Sequence, residues 1–341
     1  MTRDRIIGSQ PLSEMEDQFN HALRPEYLKD FVGQIESVER LKISLQAAQK
    51  RDEPLEHILL YGPPGLGKTT LAHIVAHEMG TRIVVTSGPA LTRRADLMGI
   101  FTSLQLGDIL FIDEIHRLGT AVEEFIYPAM EDFKADIVVD KGPFAKTINI
   151  PIKKFTLIGA TTRAGLLSAP LRNRFGIQHH IDFYEIDELK VIIRRAAEKL
   201  QTDIDEQALG EIAKRSRGTP RIANRLLRRV RDYTQVKEDG AISFAIAVKA
   251  IELEGIDDMG LDDLDRKYLN VIINNYKGGP VGVEAIAATL NEETTTLEDV
   301  IEPYLLKAGF LQRTRAGRMA TEHVYNHFKI EPLKGQASMF M

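Results

Sequence analysis

No cysteine occurs among the 341 residues, which excludes disulfide frameworks, thiolate metal sites and cysteine nucleophiles. No apolar run approaches the roughly 18 residues that suggest a membrane span. The charged stretch 1–18 lacks the apolar centre of a signal peptide. Together these two absences predict a soluble, cytoplasmic protein. Nor is there an excess of positive charge: 44 Lys and Arg stand against 49 Asp and Glu, a net −5. A uniformly basic nucleic-acid coat is excluded, and any DNA contact is confined to a local patch. Internal repeats and low-complexity tracts are also missing. What remains is 341 residues with 43% apolar content, a length that predicts two or three folded domains.

Along the chain, 1–30 reads as a charged arm. From 31 to 183, short apolar runs at His57–Tyr61, Arg82–Thr86, Ile109–Ile112 and Phe155–Ala160 alternate with helical patterns. Apolar runs without alternation suit strands buried on both faces of a parallel sheet, and their alternation with helices predicts a doubly wound α/β domain. The stretch 184–255 reads as a small helical domain, with helices over Glu188–Leu200, Glu206–Lys214 and Arg221–Tyr233. Gly255–Asp265 carries five aspartates and two glycines and marks a boundary. Beyond it, 256–341 predicts helices near Arg266–Asn275, Val283–Leu290 and Leu297–Ala308, then a hairpin over Phe310–Thr321 turning at Ala316–Gly317. Three helices and a hairpin, in that order, make a winged helix.

Gly62-Pro63-Pro64-Gly65-Leu66-Gly67-Lys68-Thr69 fits G-x-x-x-x-G-K-[ST]. A strand-like run leads in and an amphipathic helix over Thr69–Met79 leads out, the context a phosphate loop needs. Its glycines let backbone N–H groups curl round phosphate oxygens at a helix N-terminus. Lys68 would neutralise the β- and γ-phosphates of a bound nucleotide, and Thr69 would ligate Mg²⁺. Leu110-Phe111-Ile112-Asp113-Glu114 is an apolar strand ending in two acids. Asp113 suits the Mg²⁺ shell and Glu114 the polarisation of an attacking water. A bland alternative is a surface turn, but a tandem acid downstream of a phosphate loop favours an NTP hydrolase over a small-molecule kinase.

Three polar clusters lie where a γ-phosphate sensing system would need them: Gly159-Ala160-Thr161-Thr162, Leu171-Arg172-Asn173-Arg174-Phe175 and Gly218-Thr219-Pro220-Arg221. For each, ordinary surface threonines or arginines are the alternative. Lys214 to Arg231 holds eight basic residues and no acid. A solvated helix face explains most such runs; a subunit interface or phosphate contact would explain some of these arginines. Arg313, Arg315 and Arg318 make the presumed wing basic, either a phosphate-backbone clamp or a solvated turn. Asp136–Ile152 alternates apolar and polar residues around Lys141-Gly142-Pro143 and predicts an inserted hairpin that either packs on the core or offers an apolar tip, with Phe144, to a protein partner. His179-His180, being adjacent, does not suit a metal site.

With those residues in view, the chain resembles along its whole length the bacterial RuvB Holliday-junction branch-migration motors, a family of AAA+ ATPases. The resemblance rests on Leu23-Arg24-Pro25, Asp30–Gln34, Tyr61–Thr70, Leu110–Leu118, Gly159–Gly165, Leu171–Gly176, Gly218–Arg221 and Gly309–Thr321. It implies an α/β P-loop NTPase (AAA+) domain, a small helical lid and a C-terminal winged-helix domain. It also implies that Leu23, Arg24 and Tyr184 line an adenine pocket and that Glu131-Asp132-Phe133 belongs to the nucleotide site, together with Gly62, Gly65, Gly67, Lys68, Thr69 and Thr70. Thr162 would be sensor 1, Arg174 an arginine finger acting in trans, and Arg221 sensor 2. Arg313 and Arg318, with Arg315 between them, would contact DNA. Ile148 and Ile150 match the apolar hairpin tip that docks on RuvA. Homohexameric rings on duplex arms of four-way junctions, and the nuclease RuvC, complete the implied assembly, which serves homologous recombination and DNA repair.

The chain departs from the family pattern at Arg315-Ala316, where relatives often carry proline then arginine, and at Thr92-Arg93-Arg94-Ala95-Asp96, which bears on interior DNA contacts. Two other classes remain open on sequence alone: an AAA+ protein-remodelling ATPase, and a clamp-loader-like or regulatory switch. The first usually has an aromatic-apolar-glycine pore loop where this chain has Met98-Gly99-Ile100.

Overall fold

The computed structural model describes residues 23–139, 146–237 and 240–331. Most of the expected N-terminal arm, and the expected hairpin tip at Lys141-Gly142-Pro143 and Phe144, lie outside them. The chain divides into two compact units. One holds 24–62 and 66–182; the other holds Leu23, 63–65 and the chain from 183 onward.

The first unit begins with α1 (Ile35–Arg51) and is built on a five-stranded parallel sheet of order β2-β3-β6-β1-β7. Its strands are β1 (Ile58–Tyr61), β2 (Ile83–Ser87), β3 (Ile109–Asp113), β6 (Thr156–Thr161) and β7 (Ile177–His180). The four expected runs are all strands. β1, β3 and β6 occupy interior positions, and every residue of β6 is buried. That burial explains why these three runs are apolar without alternation; β2, expected to be buried likewise, is an edge strand with no fully buried residue. β7 escapes the sequence reading because Ile-Gln-His-His is mostly polar. It is an edge strand paired with β1 from Ile58↔Ile177 to Tyr61↔His180, and of its last three residues only His179 is buried.

Helices α2 (Lys68–Met79), α3 (Arg94–Ser103), α4 (Thr120–Glu131) and α5 (Ala169–Asn173) complete this unit. Leu97, Phe101, Phe125, Ile126 and Leu171 close over Leu110, Ile112 and Leu157 in one core. Met98-Gly99-Ile100 lies inside α3, with Met98 and Ile100 packed against that core. The expected hairpin is β4 (Lys134–Val139) against β5 (Lys146–Pro151), antiparallel.

The second unit contains α6 (Ile186–Lys199), α7 (Glu206–Arg215), α8 (Pro220–Lys237) and α9 (Phe244–Leu253). A second core follows around Tyr268, Leu269, Ile286, Leu305, Phe310 and Tyr325. Its helices are α10 (Asp263–Asn270), continued by a π-turn over Val271–Asn275, α11 (Val283–Leu290) and α12 (Glu302–Lys307), the last entered through a π-turn over Leu297–Ile301. The wing is β8 (Leu311–Thr314) and β9 (Gly317–Ala320), and α13 (Glu322–Phe328) closes it. The wing's turn is Arg315–Ala316, one residue earlier than expected, because Gly317 pairs with Thr314 as the first residue of the return strand. The effect is to place Arg315 at the apex. Among the described residues, no helix is long and apolar enough to cross a membrane.

Candidate functional site

The phosphate loop leaves β1 at Tyr61 and ends in the first turn of α2. Gly62 has φ +145°, and a Cβ there would sit 2.1 Å from the carbonyl oxygen of Ile181. No side chain fits that close approach. Lys68 is buried and its Nζ donates to the carbonyl of Gly62 at 2.7 Å. The ammonium is thus curled across the mouth of its own loop, where phosphate oxygens would compete for it. Thr69 and Thr70 follow in the same first turn, with their N–H groups at the positive end of the helix dipole.

At the carboxyl end of β3, Asp113 accepts the N–H of Glu114 at 2.9 Å. Glu114 itself is left-handed, φ +48°, and its carboxylate pairs with Arg117 at 2.9 Å. The acid expected to polarise water is therefore held by a neighbouring cation in this structure. Along β6, which lies beside β3, buried Thr161 shares a hydrogen bond with His116 Nδ1 at 2.9 Å and accepts Arg163 N–H at 3.0 Å. Thr161 thus ties the end of β6 to the turn after Asp113. Thr162, the next residue, is half-buried.

Arg174 follows α5, whose N-cap Ser168 accepts Leu171 N–H at 3.2 Å. Its guanidinium pairs with Glu131 at 3.1 Å, donates to the carbonyl of Pro170 at 2.8 Å and lies 4.2 Å from the centre of the Tyr127 ring. Tyr127 is in turn held by Glu123 and Ser168. Glu131, expected at the nucleotide, is here the counter-ion of Arg174. Asp132 pairs with Lys134 at 3.1 Å. Phe133, φ +54°, turns the chain from α4 into β4 and rests against His57 and Phe155. Arg24 belongs to this first unit as well.

In the second unit, Pro63–Gly65 lies against the start of α8. The Arg221 N–H donates to the Gly65 carbonyl at 3.4 Å, and a Cβ on Gly65 would meet Thr219 Cγ2 at 2.8 Å. Arg221 is thereby fixed beside the loop. Pro63, Pro64, Gly65, Thr219 and Arg221 share a small cavity with Asp299, Pro303 and Tyr304. Tyr184 is buried and its N–H donates to Gly218 at 2.9 Å. Burial, then the charge of Glu188, pushes its phenol above the ordinary range. Leu23 is half-buried.

Much of the basic run is internal. Arg215 pairs with Glu211 and reaches the Ile256 carbonyl at 3.2 Å, Arg217 pairs with buried Asp265, and Arg225 is buried. Arg229 and Arg231 have acidic neighbours, Glu254 at 3.9 Å and Asp232 at 3.3 Å. Sequence alone saw a cationic stripe because the acids answering it lie just outside the run, Glu211 and Asp232, or farther along the chain, Glu254 and Asp265.

On the wing, Arg313 and Arg318 are cross-strand neighbours, and both are tied to Glu302. Arg315 at the turn is exposed. Ile148 and Ile150 lie within β5, opposite Ile137 and Ala135, and not at the hairpin tip. Ile148 is exposed and Ile150 half-buried. In the divergent segment after β2, Asp96 accepts the N–H groups of Thr92 and Arg93 and pairs with Arg93. Those bonds, the Arg93 N–H first, hold its carboxyl below the ordinary range. The segment is a well-made helix start.

Residues that sequence reasoning passed over are His116, Arg117, Tyr127 and Glu302. Each acts on a motif residue, and only His116 and Arg117 are close enough in sequence to have been suspected.

Three family descriptions match the chain in succession: Holliday junction DNA helicase RuvB P-loop domain over 23–181, RuvB AAA lid domain over 184–257, and RuvB C-terminal winged helix domain over 258–329. The solved Thermotoga maritima RuvB Holliday junction branch migration motor is similar at 54% identity, covering 91% of this chain and 99% of that one, with TM-score 0.85. An arginine-to-alanine mutant of the same protein is similar at 54% identity over the same shares, with TM-score 0.84. These descriptions name a P-loop domain, a lid and a winged helix, and the parallel sheet with its loop after β1, the helices α6 to α9 and the domain that carries the β8–β9 wing correspond to them in order. The chain belongs to the RuvB family of Holliday junction DNA helicases, and it is a P-loop ATPase.

Proposed function

We propose that this chain is the ATP-driven motor of Holliday-junction branch migration in homologous recombination and DNA repair. In this reading it assembles as a homohexameric ring on duplex arms, docks on RuvA through the β4–β5 hairpin at Ile148 and Ile150, works beside RuvC and acts in the cytoplasm. The domain bounds follow the expected ones: arm 1–30, ATPase 31–183, lid 184–255 and winged helix 256–341.

Gly62, Gly65, Gly67, Lys68, Thr69 and Thr70 cradle the triphosphate of ATP, with Leu23, Arg24 and Tyr184 at the base and Glu131-Asp132-Phe133 at the site's edge. Thr69 and Asp113 offer two hard oxygen donors, a set that suits Mg²⁺. The ion, when bound, neutralises charge developing on the β- and γ-oxygens. Glu114, once released from Arg117, orients the attacking water; Thr162 and Arg221 report on the γ-phosphate. Arg174 serves a neighbouring subunit's nucleotide. Exchange of Glu131 for that phosphate is a like-for-like change of anionic partner. Arg313, Arg315 and Arg318 make up the basic wing that faces the DNA backbone.

The single observation that supports this most is Lys68 held over its own loop in a chain that also carries a basic wing. Dissociation of a labelled mobile four-way junction, with ATP, Mg²⁺ and RuvA, tests it. ATP-dependent conversion to duplex products is expected, and none with Lys68→Ala. ATP hydrolysis stimulated by unfolded protein but not by junction DNA would overturn the reading in favour of protein remodelling. Hydrolysis without junction conversion would favour a switch.

A further inference from the structure

Arg313 on β8 and Arg318 on β9 face each other across the wing, and both reach one carboxylate. Glu302, the first residue of α12, has 0% exposure. Its Oε1 accepts the Tyr268 hydroxyl at 2.8 Å and Arg318 Nε at 2.9 Å. Its Oε2 accepts Arg313 Nε at 2.7 Å and also Arg313 Nη2. A carboxylate withdrawn so completely from water is tolerated only when paired and fully hydrogen-bonded, and here every bond it makes is to the wing or to Tyr268. Burial and then the charge of Glu302 push the Tyr268 phenol upward, so it remains a donor.

The two arginines are not equivalent. Arg318 is 16% exposed and reaches a second carboxylate, Glu298, at 2.9 Å, so its charge is answered twice inside the domain. Arg313 gives one edge of its guanidinium to Glu302 and keeps 47% exposure. Arg315 stands exposed at the apex between them. A guanidinium has five N–H donors in a fixed fork. Binding one edge to a buried acid fixes where the remaining donors point.

We propose that Glu302 is the positioning residue of the wing: it braces Arg318 as an internal strut, which takes Arg318 out of the DNA-facing set given above, and orients Arg313, so that Arg313 and Arg315 are the cations presented to nucleic-acid phosphates. This rests on the reading of the wing as a DNA-facing surface. The proposal has a sign that separates it from simple electrostatics. Removing the negative charge of Glu302 makes the wing more positive, which by itself strengthens attraction to a polyanion. If Glu302 positions Arg313, the same change weakens binding, because one pre-oriented phosphate contact is lost.

The test is fluorescence anisotropy of the full-length protein on a short labelled duplex over a salt series, for wild type, Glu302→Gln, Tyr268→Phe and the double variant Arg313→Ala/Arg315→Ala, each with a thermal melt. Glu302→Gln is expected to bind roughly tenfold more weakly, with a log–log salt slope shallower by about one. The double variant should bind more weakly still, with a slope shallower by about two. Unchanged or tighter binding by folded Glu302→Gln, while the double variant is weakened, overturns the positioning role and leaves the wing as DNA surface. If Glu302→Gln melts the domain, Tyr268→Phe decides: it keeps all charges and removes one bond to Glu302. A few-fold weakening supports the proposal and wild-type binding overturns it. Wild-type binding by the double variant rejects the DNA-facing wing and the positioning role together.

Discussion

The imidazole of His57 accepts the Leu157 N–H at its Nδ1, 2.9 Å, so its proton sits on Nε2 and is donated to the Met130 carbonyl at 3.1 Å. Only the neutral ring makes both bonds. Burial is the main cause that lowers its pKa, against smaller opposing effects from Met130 and Glu56. The unfolded chain therefore binds this proton more readily than the folded one, and stability rises with pH through this group. Its contribution is complete above about pH 6.5, the ordinary histidine value, and falls away as pH drops below it. His179, lowered by burial and by Arg40, adds in the same direction. Melting temperature measured from pH 8 to pH 5 is expected to fall below about pH 6.5, and the fall should shrink in a folded His57→Gln variant. A flat profile in wild type would mean these rings accept protons without loss.

At this scale the sequence tells motif residues from the rest and is silent about their partners. Gly62, Lys68, Asp113 and Glu114 announce themselves because phosphate and metal chemistry fix residue type and spacing locally. Glu131 beside Arg174 and Glu302 beside Arg313 do not. A carboxylate anywhere in the chain can answer an arginine, and only the fold selects which one does.

Among elements, those with strong patterns are legible: α2, α7, α8 and the strands β1, β2, β3 and β6 follow from apolar spacing. β7 is not, since an edge strand needs no apolar face, and the wing's turn moves by one residue because Gly317 belongs to the ladder. The α8 approach shows why composition misleads. Arg217 in that basic run is buried against Asp265 of α10, donates to the Gly260 carbonyl at 2.7 Å and lies 4.7 Å from the Tyr304 ring centre. Asp265 also accepts the Asp262 N–H at 2.9 Å in the box that starts α10. Asp265→Asn takes a buried counter-charge away from a buried guanidinium, a loss of about 3–5 kcal/mol. Chemical denaturation should show the midpoint of the second unit's transition lowered accordingly. A loss within about 0.5 kcal/mol, the size of an ordinary surface change, would mean that the other contacts of Arg217 suffice without the charge of Asp265.

Assembly is the scale at which the sequence speaks only through resemblance, because a ring interface joins two different faces of the chain and no local pattern marks both. A head-to-tail ring gives Arg174 a definite prediction. In the proposed ring, with Arg174 as the proposed finger, every nucleotide would sit on one subunit's Lys68 and face the next subunit's Arg174. Arg174→Ala should bind ATP normally yet lose steady-state hydrolysis, since the arginine acts on charge that develops only in the transition state. Rings of Lys68→Ala alone should also be inactive. Mixed in equal amounts, the two variants regenerate a complete site wherever an intact Lys68 meets an intact Arg174, about one interface in four for random mixing. Phosphate release from the mixture should rise well above either variant alone. If Arg174 instead serves its own subunit's nucleotide, no mixed interface is complete, and the mixture stays as inactive as its parts.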